Sequence, residues 1–241
     1  VEELGLLKMD FLGLSNLTII NNCLRIVKKV KGEKIDLSKL PLDDEEAYKL
    51  LQRGDSTGVF QLESAGMKRY LRDLAPTQFD DIIAMVALYR PGPMQFIDSF
   101  IKRKHGKEEI TYLHPKFKAA LEQTYGILVY QEQFMQISKD FAGFTGGQAD
   151  TLRKAVGKKK IDLMRKVKDD FVNGAVSFSG ADPKIAETFW AQLEEFANYC
   201  FNKSHAACYA LVAYWTAYLK AHYPEAYMAA LMTSDQNNID R

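Results

Sequence analysis

Residues 182–224, DPKIAETFWAQLEEFANYCFNKSHAACYALVAYWTAYLKAHYP, decide the fold class. Asp182 followed by Pro183 is a helix start. An aspartate accepts a backbone N–H at the cap, and proline fits the first helical position because its missing N–H has no partner there. A helix is expected from this pair towards Tyr199. Residues 200–203 read as a loop, residues 204–222 as a long helix, and Pro224 as the start of a short terminal one. The apolar run 206–219 is shorter than the roughly 20 residues a membrane span needs and ends at Lys220, so no membrane crossing is expected.

Helical signals continue towards the N-terminus. Thr145-Gly146-Gly147 leads into a helix through Val156, and a second helix is expected from beyond Lys160 to about residue 178. Residues 130–141 read as a helix behind a short extended run, 127–129, and Gly126 ends another helix that has Pro115 in its first turn. Arg90-Pro91-Gly92-Pro93 forces a break before a helix at 94–104. Ser64 and Thr77 start two helices separated by Pro76, and residues 57–62 read as extended. Asp43-Asp44-Glu45-Glu46 opens a short helix as a capping box, closed by Gly54. Leu17, Ile20, Leu24 and Val27 form one face of a helix behind a Ser15 cap, with the linker KGEKIDLSKLP after it. The fold class is mainly α: a multi-helix assembly with a few short extended segments, and no internal repeat.

Hydrophobic residues make up 47% and charged residues 26%, which is the composition of an ordinary soluble globular protein. The net charge is only +1, so any attraction for a polyanion must come from local clustering. The three cysteines, Cys23, Cys200 and Cys208, form no C-x-x-C pair, and their odd number argues against a disulfide framework. The acidic N-terminus lacks the basic start of a signal peptide, and the chain begins on a valine; it reads as a cytoplasmic fragment.

Five segments carry chemistry, and each has a bland reading beside the functional one. In KMDFLGL (8–14), Asp10 is the only carboxylate among large apolar neighbours. It is either a helix cap or partner of Lys8, or a metal ligand. In GVFQLES (58–64), Val59, Gln61 and Glu63 would share one face of a strand, which fits an edge strand equally well. In ALYRPGP (87–93), Arg90 sits before a rigid turn, pre-organised for an anion or capping the preceding helix.

The fourth segment, DTLRKAVGKKK (150–160), begins the strongest cluster. From Arg153 to Lys168 eight basic residues face one acid, Asp162, a local +7 in a nearly neutral chain. Lys158, Lys159 and Lys160 beside a flexible glycine suit a triphosphate or a nucleic-acid backbone better than a merely solvated face. In YCFNKSH (199–205), Ser204 either simply caps the last helix with His205 in its first turn, or Lys203 and His205 beside it make the helix N-terminus an anion site. No phosphate loop, dinucleotide fingerprint or nucleophile elbow is present. The residues by themselves reach a helical polyanion-binding unit with one suspicious aspartate.

In order, KMDFLGL, GVFQLES-x-GM, ALYRPGP, FIKRKHG, TYGILVYQEQ, AGFTGGQAD-x-LRKAVGKKK and FNKSHAACYA make the chain resemble the C-family bacterial replicative DNA polymerases, the DNA polymerase III alpha subunits. The resemblance covers essentially the whole chain. It implies that residues 1–14 end a palm domain and residues 15–241 form a helical fingers domain. It further implies template-directed DNA synthesis from dNTPs on primer-template DNA by two-metal transfer, with Mg²⁺ held by Asp10 and two aspartates from a segment upstream of this chain. Lys8 would stand near the incoming nucleotide. Arg153 and Lys154 match a pair that is commonly Arg-Arg in the family, so Lys154 keeps the charge without the bidentate fork. Lys158, Lys159, Lys160, Asn202, Lys203 and His205 would line the nucleotide and template pocket, with Arg90 and Gln61 in further family motifs. The isolated piece would be inactive. Its partners would be other domains of the same polymerase, and replisome subunits through regions absent here. A non-catalytic nucleic-acid or partner-binding helical module, and an independent nucleotide hydrolase, are the competing readings; the missing phosphate loop disfavours the second.

Overall fold

The computed structural model of the chain describes residues 4–7, 9, 13–157 and 161–234. Among them lie twelve α-helices, and the only β-type pairing is one isolated parallel bridge between Tyr130 and Phe201. The mainly-α expectation holds. The helices are α1 (Ser15–Lys31), α2 (Glu45–Gln52), α3 (Ala65–Leu74), α4 (Phe79–Leu88), α5 (Ile97–Lys104), α6 (Lys118–Leu121), α7 (Gln131–Ala142), α8 (Gly146–Gly157), α9 (Ile161–Ser179), α10 (Pro183–Phe196), α11 (Lys203–His222) and α12 (Pro224–Ser234).

They pack as two adjoining cores. The first surrounds α11, whose Ala206, Ala210, Val212, Ala213, Tyr214, Thr216, Ala217 and Leu219 are all buried. A helix apolar on most sides belongs in a protein interior, and that is why residues 206–219 lack polar punctuation. Helices α1, α2, α4 and α12 pack on α11, while α3 and α5 complete this half. Tyr214 fastens α2 to α11: its hydroxyl donates to the Pro41 carbonyl at 2.6 Å and accepts the Asp44 N–H at 3.0 Å. Among the described residues no helix is long and apolar enough to cross a membrane.

The second core is aromatic. Phe117, Phe134, Phe141, Phe171, Phe189, Trp190 and Phe196 are buried between α7, α8, α9 and α10. Ring centroids lie 4.8 Å apart for Phe117–Phe189 and 4.9 Å for Phe117–Phe141, within the range where aromatic pairs attract beyond their buried area. Gly174 of α9 lets α7 approach closely: a Cβ there would stand 2.3 Å from the Ala142 carbonyl oxygen.

Several local expectations shift. Residues 57–62 are consecutive turns, not an extended run, because Gly58 (φ 76°) and Gln61 (φ 62°) both take left-handed backbone that a strand cannot contain. Val59 is buried and Gln61 exposed in those turns, so their alternation has another origin than a pleat. Leu14, without a side-chain hydrogen bond, precedes α1 in place of a Ser15 cap. Asn202, not Ser204, caps α11, accepting the His205 N–H at 2.8 Å. Residues 93–96 form a 3₁₀ turn, so the following α-helix begins only at Ile97. The Asp182 cap with Pro183 behind it is as expected, its carboxylate accepting the Lys184 N–H at 2.9 Å.

Candidate nucleotide-facing site

The seam between the two cores gathers five of the seven described site residues singled out from sequence. It is built by the segment 127–133. Gln133, buried at the start of α7, accepts the Val129 and Tyr130 N–H groups, each at 2.8 Å. Its amide donates to Thr124 Oγ1 at 2.7 Å and to the Ala120 carbonyl at 3.1 Å. All four hydrogen bonds satisfy groups that burial would otherwise penalise, so the approach to α7 is fixed.

That fixed segment clamps the start of α11. The Gln131 N–H donates to the Phe201 carbonyl at 2.8 Å. Glu132 accepts from Asn202 Nδ2 at 2.8 Å and from the Lys203 backbone N–H at 2.9 Å. A carboxylate on the first free N–H groups of a long helix is electrostatically favoured. The Lys203 ammonium is thereby aimed away from its own helix. It donates to Gln123 Oε1 at 2.8 Å, lies 3.6 Å from Asp80 Oδ1 and sits 5.5 Å from the centre of the Tyr130 ring.

From Lys203 a strip of π surface leads outward. His205 is exposed; its ring meets Phe201 at 5.5 Å and Tyr209 at 4.5 Å, and Tyr209 meets Phe60 at 5.3 Å. Arg90 closes one end, with its guanidinium carbon 4.1 Å from the centre of Phe201. Its Nε donates to the Ala87 carbonyl at 2.9 Å and one terminal nitrogen to the Tyr199 carbonyl at 3.0 Å. Arg90 thus caps the last turn of α4 and ties it to the loop after α10. Burial pushes its guanidinium below the ordinary arginine range. Exposed Gln61, next to Phe60, stands at the other end.

Arg153 and Lys154 lie elsewhere, on α8 in the second core. Asp150, one turn earlier, takes both: its Oδ1 is 2.8 Å from an Arg153 terminal nitrogen and its Oδ2 is 2.8 Å from Lys154 Nζ. Hydrogen bonds from Lys154 and Arg153 hold the exposed Asp150 carboxyl below the usual carboxylate range. The local +7 count began at Arg153 and so left out the one acid that bonds to the pair.

The seam therefore unites Gln61, Arg90, Asn202, Lys203 and His205, with Arg153 and Lys154 forming a separate exposed cationic pair. Sequence reasoning missed Glu132, Tyr130, Phe201 and Tyr209. Glu132 could not be found by spacing, since 70 residues separate it from Asn202. Asp10, Lys8, Lys158, Lys159 and Lys160 lie outside the described residues. Among the described residues no three His, Cys, Asp or Glu side chains converge as metal ligands.

Residues 16–179 match the family model described as the bacterial DNA polymerase III alpha subunit finger domain. The chain is similar to proteins named DNA polymerase III subunit alpha. Identity is 53% with that of Aquifex aeolicus over 240 residues, covering 99% of this chain and 21% of the relative. It is 50% with that of Thermus aquaticus over 246 residues, covering 100% and 20%. With that of Escherichia coli strain K12 it is 49% over 252 residues, covering 100% and 22%. The chain spans about a fifth of the length of these relatives.

Proposed function

Because this chain belongs to the bacterial DNA polymerase III alpha subunit family, we propose that it forms the fingers, with residues 1–14 ending the palm, of a polymerase that copies DNA from dNTPs. The observation that carries this reading is the clamped start of α11. There Glu132 fixes the Lys203 backbone, the Lys203 ammonium turns to Gln123 and Tyr130, and the exposed His205 ring lies on Phe201 and Tyr209. Nucleotide addition develops negative charge on phosphate oxygens, and pre-positioned cations and N–H donors stabilise it without reorganising during the reaction.

In this proposal Lys203, Arg153 and Lys154 hold triphosphate or template phosphate, and Lys158, Lys159 and Lys160 extend the same field. His205 and Tyr209 offer stacking surface, Asn202 and Glu132 set its geometry, and Arg90 and Gln61 hold its two ends. Stacking and charge tolerate every base, as a polymerase requires, because the template supplies the sequence. Mg²⁺ supplies Lewis-acid chemistry when bound, with Asp10 as the ligand from this chain beside two upstream aspartates. The chain without them would not extend a primer. Replication in the cytoplasm, on primer-template DNA and beside the other domains and replisome subunits, completes the reading.

The test is primer extension by the intact parent polymerase, wild type against Asp10→Asn, at saturating Mg²⁺ and dNTP. A loss of several orders of magnitude with primer-template binding retained supports the palm assignment of residues 1–14. Near-normal extension overturns it.

A further inference from the structure

Most cations of the seam and of α8 have partners: Asp150 takes Arg153 and Lys154, Asp80 and Gln123 face Lys203, and Arg90 bonds to carbonyls. Helix α1 differs. Its buried face is Ile19, Ile20, Cys23 and Val27, and its 17 residues contain four basic side chains and no acid. Arg25, Lys28 and Lys29 are exposed, and among the described residues none of the three is in an ion pair. The neighbouring acid Glu33 accepts instead from the Tyr223 hydroxyl at 2.6 Å.

The donors are ordered. Thr18, Asn22, Arg25 and Lys29 follow one another at spacings of four, three and four residues, a single ridge of an α-helix about 16 Å long. Asn22, Arg25 and Lys29 also line a groove of about 330 Å³ against Ala230 and Thr233 of α12. A hydroxyl, an amide and two cations along a straight ridge are the donor types that hold a nucleic-acid backbone.

We infer that this face of α1 is a second contact for the sugar-phosphate backbone of duplex DNA, a contact that rests on the polymerase reading. The ridge packs on Ala230 and Thr233 of α12, beside Leu231, which meets Gly58 two residues from Phe60 at the outer end of the aromatic strip.

The test uses the intact parent polymerase carrying Arg25→Gln, Lys28→Gln and Lys29→Gln, changes that keep good helix formers. On duplexes of about sixteen base pairs, binding weakens several-fold, and the slope of log K against log salt becomes shallower by about 2 to 3. Arg25→Gln alone lies outside the last turn, where helix-dipole compensation is concentrated, and gives a shift of about 0.9. The KM for dNTP is unchanged. An unchanged slope overturns the proposal. Weakened capture of an acidic protein with DNA binding intact also overturns it, in favour of a protein partner. Failure of the seam assignment would appear instead in the dNTP kinetics of Lys203 variants, with the α1 slope shift still present.

Discussion

Asp150 holds Arg153 one helical turn away, with Oδ1 2.8 Å from a terminal guanidinium nitrogen, and holds Lys154 through its other oxygen. A triphosphate arriving at this exposed pair must compete with that carboxylate. Asp150→Asn removes the competitor and leaves an amide of the same shape. In the intact polymerase it should lower the KM for dNTP by up to about fivefold, the scale set by exposed ion pairs. Steady-state kinetics across a dNTP titration measure it. A raised KM would mean that Asp150 orients Arg153 rather than restraining it.

Lys104 and Asp81 form the most enclosed ion pair among the described residues, 2.6 Å apart with side chains 9% and 1% exposed. Asp81 also accepts the Thr77 and Gln78 N–H groups that begin α4. Lys104→Ala strands a buried carboxylate and should cost about 3–5 kcal/mol in denaturant unfolding. Adding Asp81→Asn to that variant should recover part of the loss, because the uncompensated charge is gone.

Gly174 and Gly146 separate packing from propensity. A Cβ at Gly174 would meet Ala142 backbone at 2.3 Å, whereas one at Gly146 has nothing within 4 Å. Gly174→Ala should destabilise by about 1–3 kcal/mol. Gly146→Ala should be neutral or slightly stabilising. Thermal unfolding of the two variants side by side gives the comparison.

The thiols should react in a fixed order. Burial pushes Cys23 up to about 11, while Cys208 is exposed. At pH 8 a thiol reagent should label Cys208 and leave Cys23 intact, as peptide mass spectrometry would record. The stability consequence has a definite sign. The folded state keeps Cys23 protonated above the value of 9.0 from which it is raised, so an unfolded chain loses the proton first. This group therefore weakens the fold as pH rises from about 9 to about 11, and has no effect below that window.

Much of the helix layout was legible because caps and prolines act locally. Ser64 before α3 and Asp182-Pro183 before α10 stand where their chemistry predicts. The turn at 57–62 was not legible, since Gln61 adopts φ 62° under tertiary control and carries no residue-type signal for it. Asn202, two residues earlier, displaced Ser204 as the α11 cap because Glu132 and the Gln131 N–H fix the chain at 201–203. Asp150 was within reach, since spacings of three and four residues on a helix imply contact. The aromatic strip was not, because Phe60 and Tyr209 lie far apart in sequence and meet only through the packing of α11.

The central claim is that Lys203 at the clamped start of α11, together with Arg153, serves the incoming nucleotide. It is tested most directly by single-turnover incorporation with the intact polymerase, comparing wild type, Lys203→Ala and Arg153→Ala across a dNTP titration, with primer-template Kd measured in parallel. The account predicts a loss of about tenfold or more in incorporation efficiency for each variant with primer-template Kd changed less than twofold, on the scale of charge-assisted hydrogen bonds. Equal losses in both quantities, or normal incorporation, would contradict it.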